Sequence, residues 1–311
     1  GRKQWQQPLP SHDMKVRCLR TLSSQAMEEL SQWYEFCEDH SAQILVGNPD
    51  PESIPDYAHL SLIQLESAGY DQYDVEALNE HKIRLCNASG CFGDVISEYV
   101  IGALILMFQR LDRYVRRQQE HCWKKEERVR MISGSTIVVV GMGNIGATLA
   151  HRLHHLGANV IGVRAHPDQK VPGVERMIAL AQLDEVLPIA DAVVLCVPAN
   201  ATTRGFFTHR LFTLMKADAI FVNVGRGSLV SLADVCRALD EKSIGGAVLD
   251  VMEEEPLPSD HPLWDHENVL ITPHVAGTFA NAASFSQFEE LVIENLRRYH
   301  EGRPLLNERR H

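Results

Sequence analysis

Three side chains capable of chemistry, Arg226, Glu255 and His274, stand in separate short loop-like segments of this 311-residue chain. They follow a glycine-rich segment at 141–146, GMGNIG. A guanidinium can clamp a carboxylate with its planar fork, and a histidine beside a carboxylate can donate or accept a proton. A nucleotide loop, an anion clamp and an acid/base pair together predict hydride transfer between a nicotinamide and a 2-oxo acid.

The glycine-rich segment has the pattern G-x-G-x-x-G. It lies between a β-branched strand, predicted over Thr136–Val140, and a helix predicted over 144–156, which is the context of a dinucleotide-binding loop. The first glycine permits a tight turn, the second lets the backbone approach a pyrophosphate, and the third lets the helix pack closely on the strand. Amide groups at the helix start then point at the phosphates. The predicted cofactor contacts are Gly141, Gly143, Asn144, Ile145 and Gly146.

The end of the next predicted strand, Asn159–Val163, bears on the choice between NAD and NADP. An acidic residue there would accept hydrogen bonds from the ribose hydroxyls of NAD, but this chain has Arg164. Asp168 follows too far along the chain to substitute for it. Because an arginine can pair with a 2′-phosphate, Arg164 favours NADP over NAD, although an exposed arginine without preference is the alternative.

Composition excludes several classes of function. The net charge of −11 argues against nucleic acid as a partner, and the longest apolar run, Tyr99–Phe108, is too short to span a membrane. Seven scattered cysteines contain no C-x-x-C pair, which is typical of a reducing, cytoplasmic location. His151, His154 and His155 have no nearby carboxylate or thiol in the sequence, so we expect a solvated helix face and no metal site.

Strands alternating with helices predict an α/β fold with parallel sheets. We expect a long helix over 94–117, and a final helix over 282–300 that packs back on the first domain. The predicted domains are 14–103 plus 283–311, which is discontinuous, and 104–282. The connection before the strand at Ile44 is short by one strand–helix unit, which predicts a reduced first sheet. The polar segment 1–13 predicts little regular structure.

Several further segments occur in a characteristic order and spacing. They are 137–146, 195–203 (LCVPANATT), 222–230 (VNVGRGSLV), 249–256 (LDVMEEEP), 261–264 (HPLW) and 271–277 (ITPHVAG). Over nearly its whole length the chain resembles the D-isomer-specific 2-hydroxyacid dehydrogenases, of the glyoxylate/hydroxypyruvate reductase type. The resemblance implies two doubly wound parallel-sheet domains, a Rossmann cofactor domain inserted into a flavodoxin-like substrate domain.

The resemblance also implies a role for each reactive residue. Arg226 matches the arginine that holds the substrate carboxylate and polarises its carbonyl. His274 matches the acid that protonates the carbonyl oxygen, and Glu255, directly before Pro256, matches the carboxylate that orients His274 and favours its protonated form. Without the resemblance, other glutamates would compete for this role, namely Glu253 and Glu254.

Further residues match cofactor or substrate positions of the family. Asp250 is expected to accept a hydrogen bond from the nicotinamide carboxamide, with a turn cap as the alternative. A second group is expected to line the cofactor: Val197, Pro198, Thr203, Val224 and Gly277. In the N-terminal part, a loop resembles the one that offers backbone amides to the substrate carboxylate, at Ser67, Ala68 and Gly69.

The sequence therefore predicts NAD(P)H-dependent reduction of a small 2-oxo acid, such as glyoxylate, hydroxypyruvate or an aryl-pyruvate, to the D-2-hydroxy acid. The same fold also serves as a nucleotide-sensing transcriptional corepressor, which is the alternative from a different class. Trp123 lies where the family carries an aromatic residue in its dimer arm, so a homodimer built around Gln118–Arg130 is expected. A core tryptophan is the alternative reading of Trp123.

Overall fold

The computed structural model describes residues 14–310, so the expectation for segment 1–13 lies outside the described residues. The chain divides into two units, one formed by 14–91 with 279–310 and the other by 92–278. The first boundary expected from the sequence, at 103/104, falls inside helix α3 (Gly93–Phe108), which packs along α5 (Asn144–His155) in the second unit. The second expected boundary, at 282/283, falls at the start of helix α9 (Ala282–His300).

A parallel sheet in the order β2-β1-β3-β4-β5 forms the first unit, and β13 adds an antiparallel strand beside β5. This is the flavodoxin-like order. The strands are β1 (Lys15–Cys18), β2 (Glu35–Phe36), β3 (Ile44–Val46), β4 (Leu62–Gln64), β5 (Arg84–Cys86) and β13 (Glu308–Arg309). Its helices are α1 (Ser24–Leu30), α2 (Val75–Glu80) and α9, with a 3-10 turn at Pro51–Asp56.

The reduced first sheet expected from the sequence is not observed. Strand β2 is only two residues long and follows α1, which ends at Leu30. Aromatic residues before β2 continue the apolar pattern of α1 as far as Cys37, so a helical period hides this strand in the sequence. Such a short edge strand carries no alternating pattern of its own, so periodicity alone does not detect it.

Seven parallel strands in the order β12-β11-β10-β9-β6-β7-β8 form the second unit, which is the doubly wound Rossmann order with one strand added. They are β6 (Thr136–Val140), β7 (Asn159–Val163), β8 (Arg176–Ile178), β9 (Ala192–Leu195), β10 (Ile220–Asn223), β11 (Gly246–Leu249) and β12 (Val269–Ile271). The helices are α3, α4 (Leu111–Gln119), α5, α6 (Leu183–Val186), α7 (His209–Leu214) and α8 (Leu232–Asp240). Short 3-10 turns lie at Leu180–Gln182, Leu187–Ile189, Gly227–Leu229 and Pro262–Asp265.

The long helix expected over 94–117 is broken in two. Arg110 adopts φ 57°, in the left-handed region, between the end of α3 and the start of α4. The Phe108 carbonyl accepts from the Arg130 amide at 2.9 Å, and the Arg130 guanidinium lies 4.4 Å from the centre of the Phe108 ring. The Arg130 amide thus occupies the Phe108 carbonyl, which would otherwise accept a hydrogen bond from the next turn of a continuing helix. Within residues 14–310, no helix combines the length and apolarity needed to cross a bilayer.

Candidate active site

Three neighbouring strands of the second unit carry the predicted reactive residues at their carboxyl ends. Asn223 at the end of β10 pairs in register with Leu249 of β11, and Leu249 pairs with Ile271 of β12. The loops that follow these strands therefore leave from one edge of the sheet, which is where open α/β sheets bind ligands. Arg226 lies in the loop after β10, Glu255 in the loop after β11 and His274 in the loop after β12.

His274 and Glu255 form a direct pair. The His274 Nδ1 atom lies 2.8 Å from Glu255 Oε2, and Glu255 Oε1 accepts from the Met252 amide at 3.0 Å. Because an ionised carboxylate only accepts hydrogen bonds, Nδ1 is the protonated nitrogen and Nε2 points elsewhere. The competing Glu253 accepts instead from the Leu232 amide at 2.6 Å, where α8 begins. The structure thus pairs His274 with Glu255, the glutamate that stands directly before Pro256.

The backbone of His274 adopts φ 54°, in the left-handed region, which a side chain other than glycine rarely adopts. Its amide donates to the Asp250 carbonyl at 2.8 Å and to the Thr272 carbonyl at 3.0 Å. Such backbone conformations persist where surrounding contacts over-determine them, and they cluster at functional sites.

Asp250 directly follows β11 and is 2% exposed. Its carboxylate holds the loop that carries His274 through three hydrogen bonds. Its Oδ1 accepts from Thr272 Oγ1 at 2.6 Å and from the Val275 amide at 2.8 Å, and its Oδ2 accepts from the Ala276 amide at 3.0 Å. These contacts correspond to the turn-cap alternative of the sequence. The predicted contact between Asp250 and the nicotinamide carboxamide stays a prediction, since a carboxylate can accept about four hydrogen bonds.

The loop bearing Arg226 is shaped by buried contacts around it. Asn223 is 0% exposed and bridges the loop, since its Nδ2 donates to the Arg226 carbonyl at 2.9 Å and its Oδ1 accepts from the Gly225 amide at 3.1 Å. Gly227 packs so closely that a Cβ there would lie 1.7 Å from the Met252 carbonyl oxygen. This glycine lets the Arg226 loop lie directly against the segment that precedes Glu255. The Arg226 guanidinium donates to the Gly225 carbonyl at 2.8 Å.

The glycine-rich loop has the shape needed for a dinucleotide. Gly141 adopts φ 102°, and a Cβ at Gly146 would lie 1.8 Å from the Gly141 carbonyl oxygen. A Cβ at Gly143, by contrast, would meet nothing within 4 Å, so the surface there is open for a pyrophosphate to approach. Asn144 and Ile145 begin the twelve-residue helix α5, whose first amides point out of the helix. The residues present therefore fit the phosphates of a dinucleotide.

Arg164 directly follows β7, next to the strand that leads into the glycine-rich loop. Its amide donates to the Ile178 carbonyl at 3.1 Å, and its side chain is half-buried. Among residues 14–310 its guanidinium has no hydrogen-bond or ion-pair partner. A cation in this position is suited to an anionic ligand.

The other predicted cofactor residues lie around the same edge. Val197 and Pro198 follow β9, and Thr203 Oγ1 donates to the Pro198 carbonyl at 2.7 Å. Val224 is 7% exposed directly after β10, and Gly277 follows the His274 loop beside Ile96. Cys196, between β9 and Val197, is inert because burial raises the pKa of its thiol to about 12.

The predicted substrate turn belongs to the first unit, in the loop between β4 and α2. The Ser67 carbonyl accepts from the Ala88 amide at 2.9 Å, the Ala68 carbonyl from Asn87 Nδ2 at 2.5 Å and the Gly69 carbonyl from Ser67 Oγ at 2.7 Å. Their carbonyls are thus engaged by the protein. The three amides have no acceptor among residues 14–310.

Sequence reasoning missed three polar residues that shape this site, Asn223, Thr272 and Tyr99. The signal for Asn223 is a polar residue at the end of an otherwise apolar strand, whereas nothing in the sequence connects Tyr99 to Thr272.

The histidines at 151 and 155 lie with ring centres 4.4 Å apart on α5. No group of three or more potential metal ligands occurs in the described part of the chain.

Comparisons with known proteins agree on one family. A model of the D-isomer specific 2-hydroxyacid dehydrogenase NAD binding domain matches residues 101–276. A glyoxylate reductase from Korarchaeum cryptofilum is 32% identical over 275 residues, which cover 85% of this chain and 80% of that protein. A glyoxylate/hydroxypyruvate reductase A from Arabidopsis thaliana is 30% identical over 280 residues, covering 86% and 85%.

A solved structure agrees with these sequences. The D-isomer specific 2-hydroxyacid dehydrogenase family protein from Aeromonas salmonicida has a TM-score of 0.83 at 29% identity, covering 95% of this chain and 98% of that chain. The family resemblance and the two-domain α/β fold are confirmed, and none of these relatives supports the corepressor alternative. The chain belongs to the D-isomer-specific 2-hydroxyacid dehydrogenases, and it is an oxidoreductase of that family that uses NAD or NADP.

Proposed function

We propose that this enzyme reduces a small 2-oxo acid of the glyoxylate or hydroxypyruvate type to the 2-hydroxy acid, with the D configuration where the product is chiral and with NADPH as the preferred donor. The observation that carries the proposal is the His274–Glu255 pair, 2.8 Å apart, at the strand edge that also bears Arg226. Relatives with glyoxylate and hydroxypyruvate reductase activity in their names support the substrate class. The reduced nicotinamide, when bound, supplies the hydride that reaches the carbonyl carbon.

His274 acts as the proton donor in this proposal. Glu255 holds Nδ1 and stabilises the imidazolium, so Nε2–H can donate to the substrate carbonyl oxygen. After the proton is transferred, the His274 imidazole is neutral and must take up another proton from solvent. The exposure of the His274 side chain, 51%, favours that exchange. In the reverse direction the same nitrogen accepts the proton of the 2-hydroxy acid.

Arg226 binds the substrate carboxylate and polarises the carbonyl group. Its guanidinium stays charged at any working pH and offers a planar pair of donors. The buried Asn223 and the close packing at Gly227 fix the backbone on both sides of it. A fixed cation serves catalysis better than a mobile one, because it is already oriented where the negative charge develops.

Ser67, Ala68 and Gly69 are proposed to contribute backbone amides to the substrate carboxylate. The carbonyls of this turn are already used by Ala88, Asn87 and Ser67 itself. An array of amides whose carbonyls are turned into the protein is suited to an anion. Asp250 is proposed to keep one acceptor position for the nicotinamide carboxamide, and the residues at 197, 198, 203, 224 and 277 are proposed to line the cofactor.

The preference for NADPH follows from Arg164. We expect Arg164→Asp to lower kcat/KM with NADPH more than with NADH, because each charge-assisted hydrogen bond to a 2′-phosphate contributes about 1.5–3 kcal/mol. Steady-state kinetics with both cofactors measures this. Arg237→Asp, the same charge reversal on α8, is the matched control and should leave the cofactor ratio unchanged. Equal kcat/KM for NADPH and NADH in the unmodified enzyme would refute the preference.

A panel of glyoxylate, hydroxypyruvate, pyruvate and an aryl-pyruvate, each with NADPH and NADH, tests the substrate class. We expect the highest kcat/KM with glyoxylate or hydroxypyruvate as the acid and NADPH as the cofactor. Turnover of none of the four acids would reject the proposed substrate class, and it would leave the pairing of His274 with Glu255 unaffected.

We also propose that the enzyme is a homodimer joined through the arm at Gln118–Arg130. Trp123 in this arm is 99% exposed, which excludes the core alternative within one chain, and Met131 nearby is 65% exposed. Glu126 anchors the arm through ion pairs with Arg113 at 2.9 Å and Arg117 at 2.5 Å. A large apolar side chain held out on an anchored arm is typical of an interaction surface.

Light scattering at micromolar concentration should therefore give the mass of a dimer. Trp123→Ala should raise the dissociation constant at least about 30-fold, since a buried interface tryptophan commonly contributes 2 kcal/mol or more. Trp264→Ala removes a different tryptophan, which is 50% exposed and lies outside the arm, and serves as the control. A monomeric mass for the unmodified chain would contradict the proposed dimer.

A further inference from the structure

A chain of three side chains lies behind the loop that carries His274. Tyr99 of α3 contacts Thr272, with 2.6 Å between the two hydroxyl oxygens, and Thr272 Oγ1 lies 2.6 Å from Asp250 Oδ1. Asp250 in turn accepts from the Val275 and Ala276 amides, on the far side of His274. The chain therefore connects helix α3 to both ends of the catalytic loop.

The direction of these hydrogen bonds is fixed by the donors available. The Asp250 carboxylate can only accept, so the single proton of the Thr272 hydroxyl is donated to it. The Tyr99 phenol must then donate to Thr272. Burial raises the pKa of the Tyr99 phenol to about 12, so this proton remains in place at neutral pH. Tyr99, Thr272 and Asp250 thus form a one-way relay whose donors are all satisfied.

The relay stabilises the loop that carries His274, whose backbone conformation is unfavourable. The His274 backbone is left-handed, and no glycine is present to make that conformation easy. Hydrogen bonds donated to the Asp250 carboxylate by residues on both sides of His274 over-determine the conformation. Removing the donor at Thr272 would let the carboxylate rotate and would loosen the amides of Val275 and Ala276 together.

We infer that Tyr99 and Thr272 are positioning residues for His274: they orient the Asp250 carboxylate, which fixes the backbone that aims the imidazole. This inference rests on the proposed function of His274 as proton donor. Neither residue is assigned contact with substrate, so their effect should be on kcat more than on cofactor binding. A displacement of the acid by about 1 Å can cost as much as 100-fold in rate.

Thr272→Val removes the hydroxyl with little change of shape, and it should lower kcat by about 10- to 100-fold. Thr272→Ser restores the hydroxyl and should recover kcat to within about threefold of the unmodified enzyme. Tyr99→Phe removes the outer hydrogen bond and should lower kcat by about 2- to 10-fold. The dissociation constant of NADPH, measured by fluorescence titration, should change by a smaller factor than kcat in all three, because Asp250 is proposed to make only one of several contacts with the cofactor. A loss confined to NADPH affinity, with kcat intact, would overturn the inference.

Tyr299→Phe provides a matched control, because Tyr299 donates to the Ser61 hydroxyl at 2.9 Å in the first unit. It removes the same kind of hydroxyl–hydroxyl contact and should leave kcat within about twofold. If Thr272→Val fails to fold, judged by circular dichroism, the Tyr99→Phe and Tyr299→Phe pair decides the question. Equal kcat values in that pair would overturn the inference.

Hydrogen–deuterium exchange of the free enzyme tests the relay without any substrate. The peptide covering 272–278 should exchange faster in Thr272→Val and Tyr99→Phe than in Tyr299→Phe, while peptides from β6 and β7 should not change. If the unmodified enzyme reduced no 2-oxo acid but exchange responded in this way, the proposed function would fail and the relay would stand. Unchanged exchange in the 272–278 peptide of an active enzyme would overturn the relay.

Discussion

Replacing His274 with alanine is expected to lower kcat for 2-oxo acid reduction by about 10²–10⁴-fold, the usual contribution of a positioned acid. The variant retains Arg226 and the glycine-rich loop, so the affinity for NADPH should stay close to that of the unmodified enzyme. Stopped-flow measurement of NADPH oxidation gives the chemical step directly. His209→Ala is the matched control, because His209 Nε2 also lies 2.8 Å from a glutamate, Glu241. That control should keep kcat within about twofold.

Glu255→Gln tests the same pair from the other side. Glutamine keeps an acceptor for His274 Nδ1, which lies 2.8 Å from Glu255 Oε2, but it removes the negative charge that stabilises the imidazolium. We therefore expect kcat for reduction to fall in this variant while the affinity for NADPH changes little. Normal kcat in Glu255→Gln would contradict the pair, and so would a His274→Ala variant with near-normal kcat.

Arg226→Lys is expected to worsen both KM and kcat, because the proposed role of Arg226 is to hold the substrate carboxylate before and during the reaction. Lysine keeps the positive charge but loses the planar pair of donors. The loss of one charge-assisted hydrogen bond, about 1.5–3 kcal/mol, corresponds to about 10- to 150-fold in kcat/KM. Steady-state kinetics with a 2-oxo acid separates the two parameters.

The control for Arg226→Lys is Arg237→Lys on α8, whose guanidinium pairs with Glu241 at 2.8 Å and whose side chain is 61% exposed. It makes the same chemical change away from the strand edge and should leave both parameters within about twofold. If Arg226→Lys kept normal KM and kcat, another cation would have to hold the substrate carboxylate.

Two elements with strong periodicity could be predicted from the sequence with the first and last residues that the structure shows. Strand β7 (Asn159–Val163) and helix α9 (Ala282–His300) have the bounds that their apolar patterns indicate, because a β-branched run and a long amphipathic stretch each permit one regular structure. The short strands β2 and β13 could not be predicted, since a pair of residues has no period. They are held by pairing with β1 and β5, which local sequence does not encode.

The break between α3 and α4 was missed for a related reason. Its sequence, from 94 to 117, contains no proline and no glycine near Arg110 that would signal an end. The break instead depends on Arg130, which reaches Phe108 from a segment distant in sequence. Tertiary contacts of this kind override helix propensity.

The reactive residues were easier to predict than those that hold them. Arg226, Glu255 and His274 stand in short signatures whose order identifies them, and the structure brings Glu255 and His274 into contact. The relay through Thr272 and Tyr99 joins residues far apart in the chain. Hydroxyl groups at single positions carry no signature, so only the folded geometry reveals that they meet.

In the proposed reaction, hydride passes from NADPH to the carbonyl carbon of a 2-oxo acid while His274 protonates the oxygen. A direct test is to react hydroxypyruvate with NADPH in which deuterium replaces both hydrogens at C4 of the nicotinamide, and to analyse the product by chiral chromatography and mass spectrometry. We expect a D-2-hydroxy acid with one deuterium at C2, formed far more slowly by His274→Ala. An L product, or a product without deuterium at C2, would contradict the proposed reaction.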